Sequence, residues 1–185
     1  MSGSVGRYAR HTKQVAKNKT STQEVVLCAP DMAGAPSGET EATYVIYGIS
    51  PMYQFAGNAN NSICTETKIP SNRVPGTPIT LEAEIFMAGI GGLGVMPIIR
   101  YGIYGKGQQP TPLTTEVWQY LPTVPPAAPN TTTTAPVIVT AVEIDGRQDP
   151  VDIQIVFTRQ ALHPFDVDGN VMYLVKIIMR YIGYE

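Results

Sequence analysis

ITLEAEIFM, residues 79–87, alternates apolar and polar side chains with a period of two. Ile79, Leu81, Ala83, Ile85 and Met87 fall on one side, and Thr80, Glu82 and Glu84 on the other. A helix would scatter these groups around its circumference, whereas a strand lays one set on a core and turns the other to water. This stretch therefore sets the expectation of a half-buried β-strand, and the rest of the chain reads in the same way.

TYVIYGI at 43–49 is β-branched and aromatic, as strands are. VMPIIRYGIY at 95–104 is a further strand, with Pro97 expected at an edge or a bulge because it has no N–H to give to a ladder. APVIVTAVEI at 135–144 and VDIQIVFTR at 151–159 read as two strands joined by the turn residues DGRQDP, an antiparallel hairpin. In the second of these, Val151, Ile153, Ile155 and Phe157 share the inward face. The closing strand, 171–182, is expected to turn Val171, Tyr173, Val175, Ile177, Met179 and Tyr181 inward. Lys176 and Arg180 then share the opposite face with Met172, Leu174, Ile178 and Ile182. Apolar groups on both faces imply a central strand or one covered by a partner. With 17 Gly and 16 Pro in 185 residues, frequent reversals separate these runs. The fold class expected is all-β: an antiparallel β-sandwich, jelly-roll-like, with an extended N-terminal arm.

Charge divides the chain. Residues 1–19 hold Arg7, Arg10, Lys13, Lys17 and Lys19 and no acid, so they carry +5. The remainder holds eight bases against fifteen acids, a net of −7. The division expected is a basic arm over 1–40 and a sandwich domain over 41–185, the latter carrying a long Pro/Thr-rich loop at 107–136. The arm is poor in large apolar groups and cannot offset the entropy of ordering alone, so it needs a surface to bind. Arg7, Tyr8, Arg10, Lys13, Lys17, Lys19, Val25 and Leu27 are its candidate contacts, the cations meeting carboxylates and the rest supplying buried area. Five charges with one Tyr are few for packaging nucleic acid, which makes an acidic protein surface the better partner. In the 107–136 segment, Trp118, Tyr120 and Leu121 are apolar anchors for a neighbour, and Lys176 and Arg180 are placed near a subunit seam.

Chemistry is harder to find. Asp166, Asp168 and Asn170 echo the oxygen spacing of a calcium loop. The Gly comes two residues early, however, and no acid follows before Glu185, so 166–170 is read as a turn and no metal is expected. GIGGLG at 89–94 lacks the lysine and the following helix of a phosphate loop. Cys28 and Cys64 show no zinc spacing and are read as free thiols in a reducing compartment. His11 and His163 stand beside no nucleophile motif, and Glu82 and Glu84 are alternating solvent-face carboxylates rather than an acid–base pair. The expectation is a protein that is not an enzyme and takes no cofactor. With no apolar run of about eighteen residues and no secretory leader pattern, no membrane association and synthesis in a cytoplasm are expected.

Polar arm, short strands, Pro/Gly-rich crossover and the closing VDIQIVFTRQALHPFDVDGNVMYLVKIIMRYIGYE together resemble the β-sandwich cement or decoration proteins of tailed-bacteriophage heads. The likeness is one of pattern over residues 43–185 and includes no diagnostic motif. It implies a homotrimer on the exterior of the virion head that binds and stabilises the major capsid protein shell. Two other readings fit the same sandwich. One is a small-virus jelly-roll coat protein whose arm faces nucleic acid. The other is a carbohydrate-binding module using Tyr44, Tyr47, Tyr101 and Tyr104.

Overall fold

The computed structural model describes residues 19–87, 94–108, 115–118, 121–122, 131–134, 136–167 and 169–185. The strands are β1 (Thr20–Cys28), β2 (Thr43–Tyr47), β3 (Ser50–Phe55), β4 (Asn61–Lys68), β5 (Ile79–Met87), β6 (Gly94–Val95), β7 (Pro97–Tyr104), β8 (Thr115–Trp118), β9 (Leu121–Pro122), β10 (Thr131–Thr133), β11 (Val137–Val139), β12 (Asp152–Arg159) and β13 (Met172–Tyr184). A short α-helix, α1 (Ala141–Asp145), joins β11 to β12.

Two antiparallel sheets are stacked into a β-sandwich. The larger has seven strands along the order β10-β5-β13-β3-β2, with β1 also on β13 and β11 also on β5; the smaller runs β4-β12-β7-β8. Because β10 and β11 follow one another along β5, they act as two halves of a single strand. Counting them as one, leaving out the two-residue strands β6 and β9 that pair only with each other, and numbering from β3, the first sheet reads first, eighth, third, sixth and the second reads second, seventh, fourth, fifth. That interleaving is the jelly roll. The pair β1 and β2 are additions to the edge of its first sheet.

The core lies between the sheets. Ile79, Leu81, Ala83 and Ile85 of β5 face Ile153, Ile155 and Phe157 of β12 across it, all at 0 % exposure, as the alternation of both stretches predicts. Phe55 of β3 meets Phe157 edge-on with ring centroids 5.2 Å apart, a direct contact between the two layers. Pro97 opens β7, the position where its missing N–H costs least.

Four expectations need correction. The arm does not extend to residue 40: β1 pairs with β13 along its whole length, from Thr20 opposite Tyr184 to Cys28 opposite Lys176. Apolar alternation in this segment is short and broken by Glu24 and Gln23, which is why the strand was not evident. Second, 135–144 is a three-residue strand followed by a helix, and it pairs with β5 rather than with 151–159. Thr140 caps α1, with its hydroxyl accepting from Glu143 N–H while the Glu143 carboxylate accepts from Thr140 N–H, so TAVE is a capping box. Third, the closing strand changes phase. A register shift between Leu174 and Lys176 puts Met172 and Leu174 in the core before it and Ile177, Met179 and Tyr181 after it. Tyr173, expected inward, lies on the outer face. Fourth, the 107–136 segment is not simply a loop, since β8 completes the second sheet against β7 and β10 extends the first.

Candidate functional site

Three surface regions gather polar or apolar groups that the core does not explain. The outer face of the larger sheet carries a charge ladder. Arg180 of β13 lies between Glu24 of β1, at 2.6 Å, and Glu82 of β5, at 2.5 Å, and Lys176 reaches Glu84 at 2.8 Å. The register sets Glu24 directly opposite Arg180 and Glu84 directly opposite Lys176, while Glu82, opposite Ile178, reaches Arg180 along the diagonal. Glu82 and Glu84 each face a cation, an arrangement that suits cross-strand pairing. Lys176 and Arg180, expected at a subunit seam, are engaged within their own chain.

A second region is a polar hollow of about 250 Å³ on the outer face of the smaller sheet, lined by Glu39, Asn60, Ser62, Arg100, Thr158 and Gln160 among others. Arg100 donates to Glu39 at 2.6 Å and to Thr158 Oγ1 at 2.9 Å, and the Ser62 hydroxyl is hydrogen-bonded to Glu39 and, at 2.8 Å, to Thr158. Burial pushes the Glu39 carboxyl up, but the hydrogen bonds from Arg100 and Ser62 and the Arg100 charge outweigh it and hold the group below the ordinary carboxylate range. Among the described residues lining this hollow there is no aromatic and no histidine, so they offer neither a stacking surface for a sugar ring nor a base for Ser62.

The third region is the free edge at β2. Gly48, with φ of 64°, and Ile49 form the two-residue turn of the β2–β3 hairpin. Tyr44, Ile46, Tyr47 and Ile49 remain exposed there, Ile46 at 68 % and Ile49 at 97 %. Tyr47 leans on Phe86 and Tyr173 with ring centroids 5.4 and 5.3 Å away, and Tyr44 meets Tyr53 edge-on at 5.5 Å. Of the aromatics considered for a glycan platform, Tyr101 is 2 % exposed and its hydroxyl donates to Glu143, so it is a core residue. Burial, a hydrogen bond to Glu66 and the charge of Asp152 push the Tyr104 hydroxyl well above its usual range.

The turn at 160–170 is organised by Arg159, which sequence reading passed over. Asp166 accepts from Arg159 Nε at 3.0 Å and Nη2 at 2.7 Å, and its Oδ2 also takes the Met96 N–H at 3.0 Å. Arg159 Nη1 donates to the Asn170 carbonyl at 2.5 Å. The first acidic residue of the calcium-like spacing is thus committed to a guanidinium. Asp168 lies outside the described residues.

Of the arm's candidate contacts, Arg7, Tyr8, Arg10, Lys13 and Lys17 lie outside the described residues. Lys19 pairs with Glu185 at 2.9 Å. Leu27 is a core residue at 6 % exposure, and Val25 packs partly against the same core, so neither is available to a capsid surface as expected. Trp118 and Leu121 stand in β8 and β9, opposite Ile98 and Val95. Tyr120, the GIGGLG residues from 89 to 93 and the reading of that segment as a loop lie outside the described residues.

No protein-family model matches the sequence, and no curated protein matches it. Among solved structures it is similar to an exo-β-1,3-galactanase from Phanerochaete chrysosporium, with a TM-score of 0.47 and 11 % identity, over 84 % of this chain and 29 % of that one. It is also similar to a xylan-binding module, with a TM-score of 0.48 and 10 % identity over 88 % and 97 % of the two chains. A chain of infectious bursal disease virus, Gx strain, gives a TM-score of 0.43 and 7 % identity over 89 % and 32 %. The chain thus spans about a third or less of the galactanase and the viral chain. At these levels the likenesses add nothing to what the strand order establishes.

Proposed function

We propose that this protein is a structural component of a virion shell, working by protein–protein contact rather than by catalysis, with its basic arm as the attachment element. The observation that supports it is the distribution of cations. Of the eight bases beyond residue 19, Arg73, Arg100, Arg159, Lys176 and Arg180 are in ion pairs within the body. The densest run of positive charge, with no acid in it, is therefore Arg7, Arg10, Lys13 and Lys17, upstream of a root at Lys19 that is tied to Glu185. A body of −7 with a short cationic arm suits a neutral or acidic protein surface better than a nucleic-acid cleft, which would need a basic face on the sandwich itself. The finer reading is a cement or decoration protein bound to a major capsid protein.

The test is co-sedimentation of the full chain with genome-free shells and, in parallel, with a DNA oligonucleotide. Binding to empty shells that is lost when Arg7, Arg10, Lys13 and Lys17 are all changed to Glu supports the reading. Binding to the oligonucleotide but not to shells would replace it with the coat-protein reading.

A further inference from the structure

We propose that β2 is a self-pairing edge: two copies of this chain join antiparallel through Thr43–Tyr47, about a two-fold axis at Val45, into one continuous sheet. The inference does not depend on the virion reading.

The strand's backbone is set up for it. Pro51 stands opposite Ile46 in the hairpin and has no N–H, so Ile46 does not exchange a hydrogen-bond pair with β3. By the alternation of an antiparallel ladder, the N–H and C=O groups of Ile46 and Tyr44 point to the free edge, and those of Val45 point to Met52. Among the described residues nothing pairs with that edge, since β2 ends the order of its sheet. Natural edge strands are usually protected by a charge, a proline or a bulge. Here no charged residue occurs between Glu41 and Glu66, and β2 itself has neither proline nor glycine.

Charge selects the second copy as occupant. A body of −7 repels its own kind over most of its surface, and this uncharged stretch is where two copies can meet without like-charge contact. The arm is a poorer fit, because its cations would find no carboxylate along 43–47. Centred on Val45, the pairing sets Tyr44 against Ile46 of the other copy and the reverse, an aromatic–β-branched pair twice over, and Thr43 against Tyr47. Glu41 falls opposite Ile49, not opposite another acid. Tyr44 and Ile46 share the side of the strand on which Tyr53 is buried, yet are 48 % and 68 % exposed. In the pair, the four side chains from the two copies cover one another on that side. An antiparallel edge closed on itself is complete at two copies, so this contact makes a dimer and not the expected trimer. The sequence signal for a covering partner, a closing strand apolar on both faces, is met inside the chain: β13 is central and Ile178 on its outer face is 5 % exposed.

The experiment pairs sedimentation with cysteine cross-linking on the full chain. Wild-type protein is expected to sediment as a dimer at micromolar concentration. Val45→Cys should give a covalent dimer on a non-reducing gel, as two cysteines facing each other across a non-hydrogen-bonded antiparallel pair are close enough to join. Thr43→Cys, which faces Tyr47, should give no more than the wild type with its native Cys28 and Cys64. Ile46→Lys should raise the dissociation constant about thirtyfold or more, and Ile138→Lys, on an exposed site elsewhere, should leave it unchanged. A monomer at a hundred micromolar, or a dimer indifferent to Ile46→Lys and uncross-linked by Val45→Cys, would overturn the proposal. Loss of dimer only on charge reversal in the arm would assign the edge to the arm.

Discussion

Arg159 and Asp166 form an ion pair at 2.7 Å in which neither side chain has any exposure to solvent. It sits where β12 ends and the turn toward β13 begins, linking a strand of one sheet to the entry into a strand of the other. The Met96 N–H on the same carboxylate and the Asn170 carbonyl on the same guanidinium make the pair a four-way junction. Such a pair adds little net stability over a well-packed apolar substitute, but removing one partner leaves a buried charge. Asp166→Ala is expected to cost about 3–5 kcal/mol, a fall in thermal midpoint of roughly 10 °C for a chain of this size. Replacing both residues, Arg159→Met with Asp166→Ala, should recover part of that loss. A single variant with an unchanged midpoint would show the pair to be incidental.

The register shift in β13 gives a sharper test of which side chains face the core. Met172 is at 0 % exposure, whereas Tyr173 is half-buried on the outer face against Tyr47 and Phe86. Met172→Lys should destabilise by about 4 kcal/mol or more, as an unpaired charge in a core does, and Tyr173→Lys by about 1 kcal/mol for the lost ring contacts. Straight alternation through the strand predicts the reverse order. Urea titration of the two variants decides between them.

These two features also mark how far the sequence is legible. β5 and β12 were plain because each lies with one face on the core throughout, so period two holds from end to end. In β13 both faces are apolar, and only the identity of the bulged residue says where the phase changes; nothing in VMYLVKIIM marks it. α1 was missed although its signal was present, because Val137, Ile138 and Val139 made the following apolar residues look like more of the same strand, when Thr140 and Glu143 form a capping box. Leu27 was misplaced for a different reason. The basic run before it suggested a solvated arm, whereas β1 is held by the length of β13 that β3 leaves unpaired, a long-range pairing that no local pattern announces. The buried pair at Arg159 and Asp166 is of the same kind, since charge in sequence reads as surface until topology encloses it.

Addition of calcium or of a chelator is expected to leave the thermal midpoint unchanged. A ligand that binds only the folded state must raise its stability, and the Asp166 carboxylate that such a site would need is held by Arg159. A rise of several degrees with calcium would mean that the turn opens to bind it.

Stability should fall on acidification in a way that depends on Glu39. Its carboxyl is held below the ordinary range, so in the folded state it stays charged where the unfolded chain has already begun to protonate. Its contribution is therefore complete above the unfolded value and is lost as pH drops through the lower folded one. Between about pH 5 and pH 3, the decline in midpoint should be shallower in Glu39→Gln than in wild type. Parallel curves would show that the Arg100 contact contributes nothing, as many half-exposed pairs do.

The two thiols should differ in reactivity. Cys28 is exposed at the end of β1, whereas Cys64 is partly buried in β4 and its Sγ donates to the Ala33 carbonyl at 3.0 Å. Burial pushes the Cys64 thiol up, and the nearby carboxylates of Glu41 and Glu66 add to the shift. Because the thiolate is the reacting species, an upward shift leaves less of it near neutral pH. A disulfide reagent at pH 7.5 should label the exposed Cys28 rapidly and Cys64 measurably more slowly, with both equal once the chain is unfolded. Glu41→Gln should quicken Cys64 and leave Cys28 as it was. Equal rates in the folded protein would mean that β4 opens at its Ala33–Gly34 contact faster than the reagent reacts, and that the backbone bonds from Ala33 N–H to the Cys64 carbonyl and from Cys64 N–H to the Gly34 carbonyl, 2.9 and 3.0 Å, do not hold this edge closed in solution.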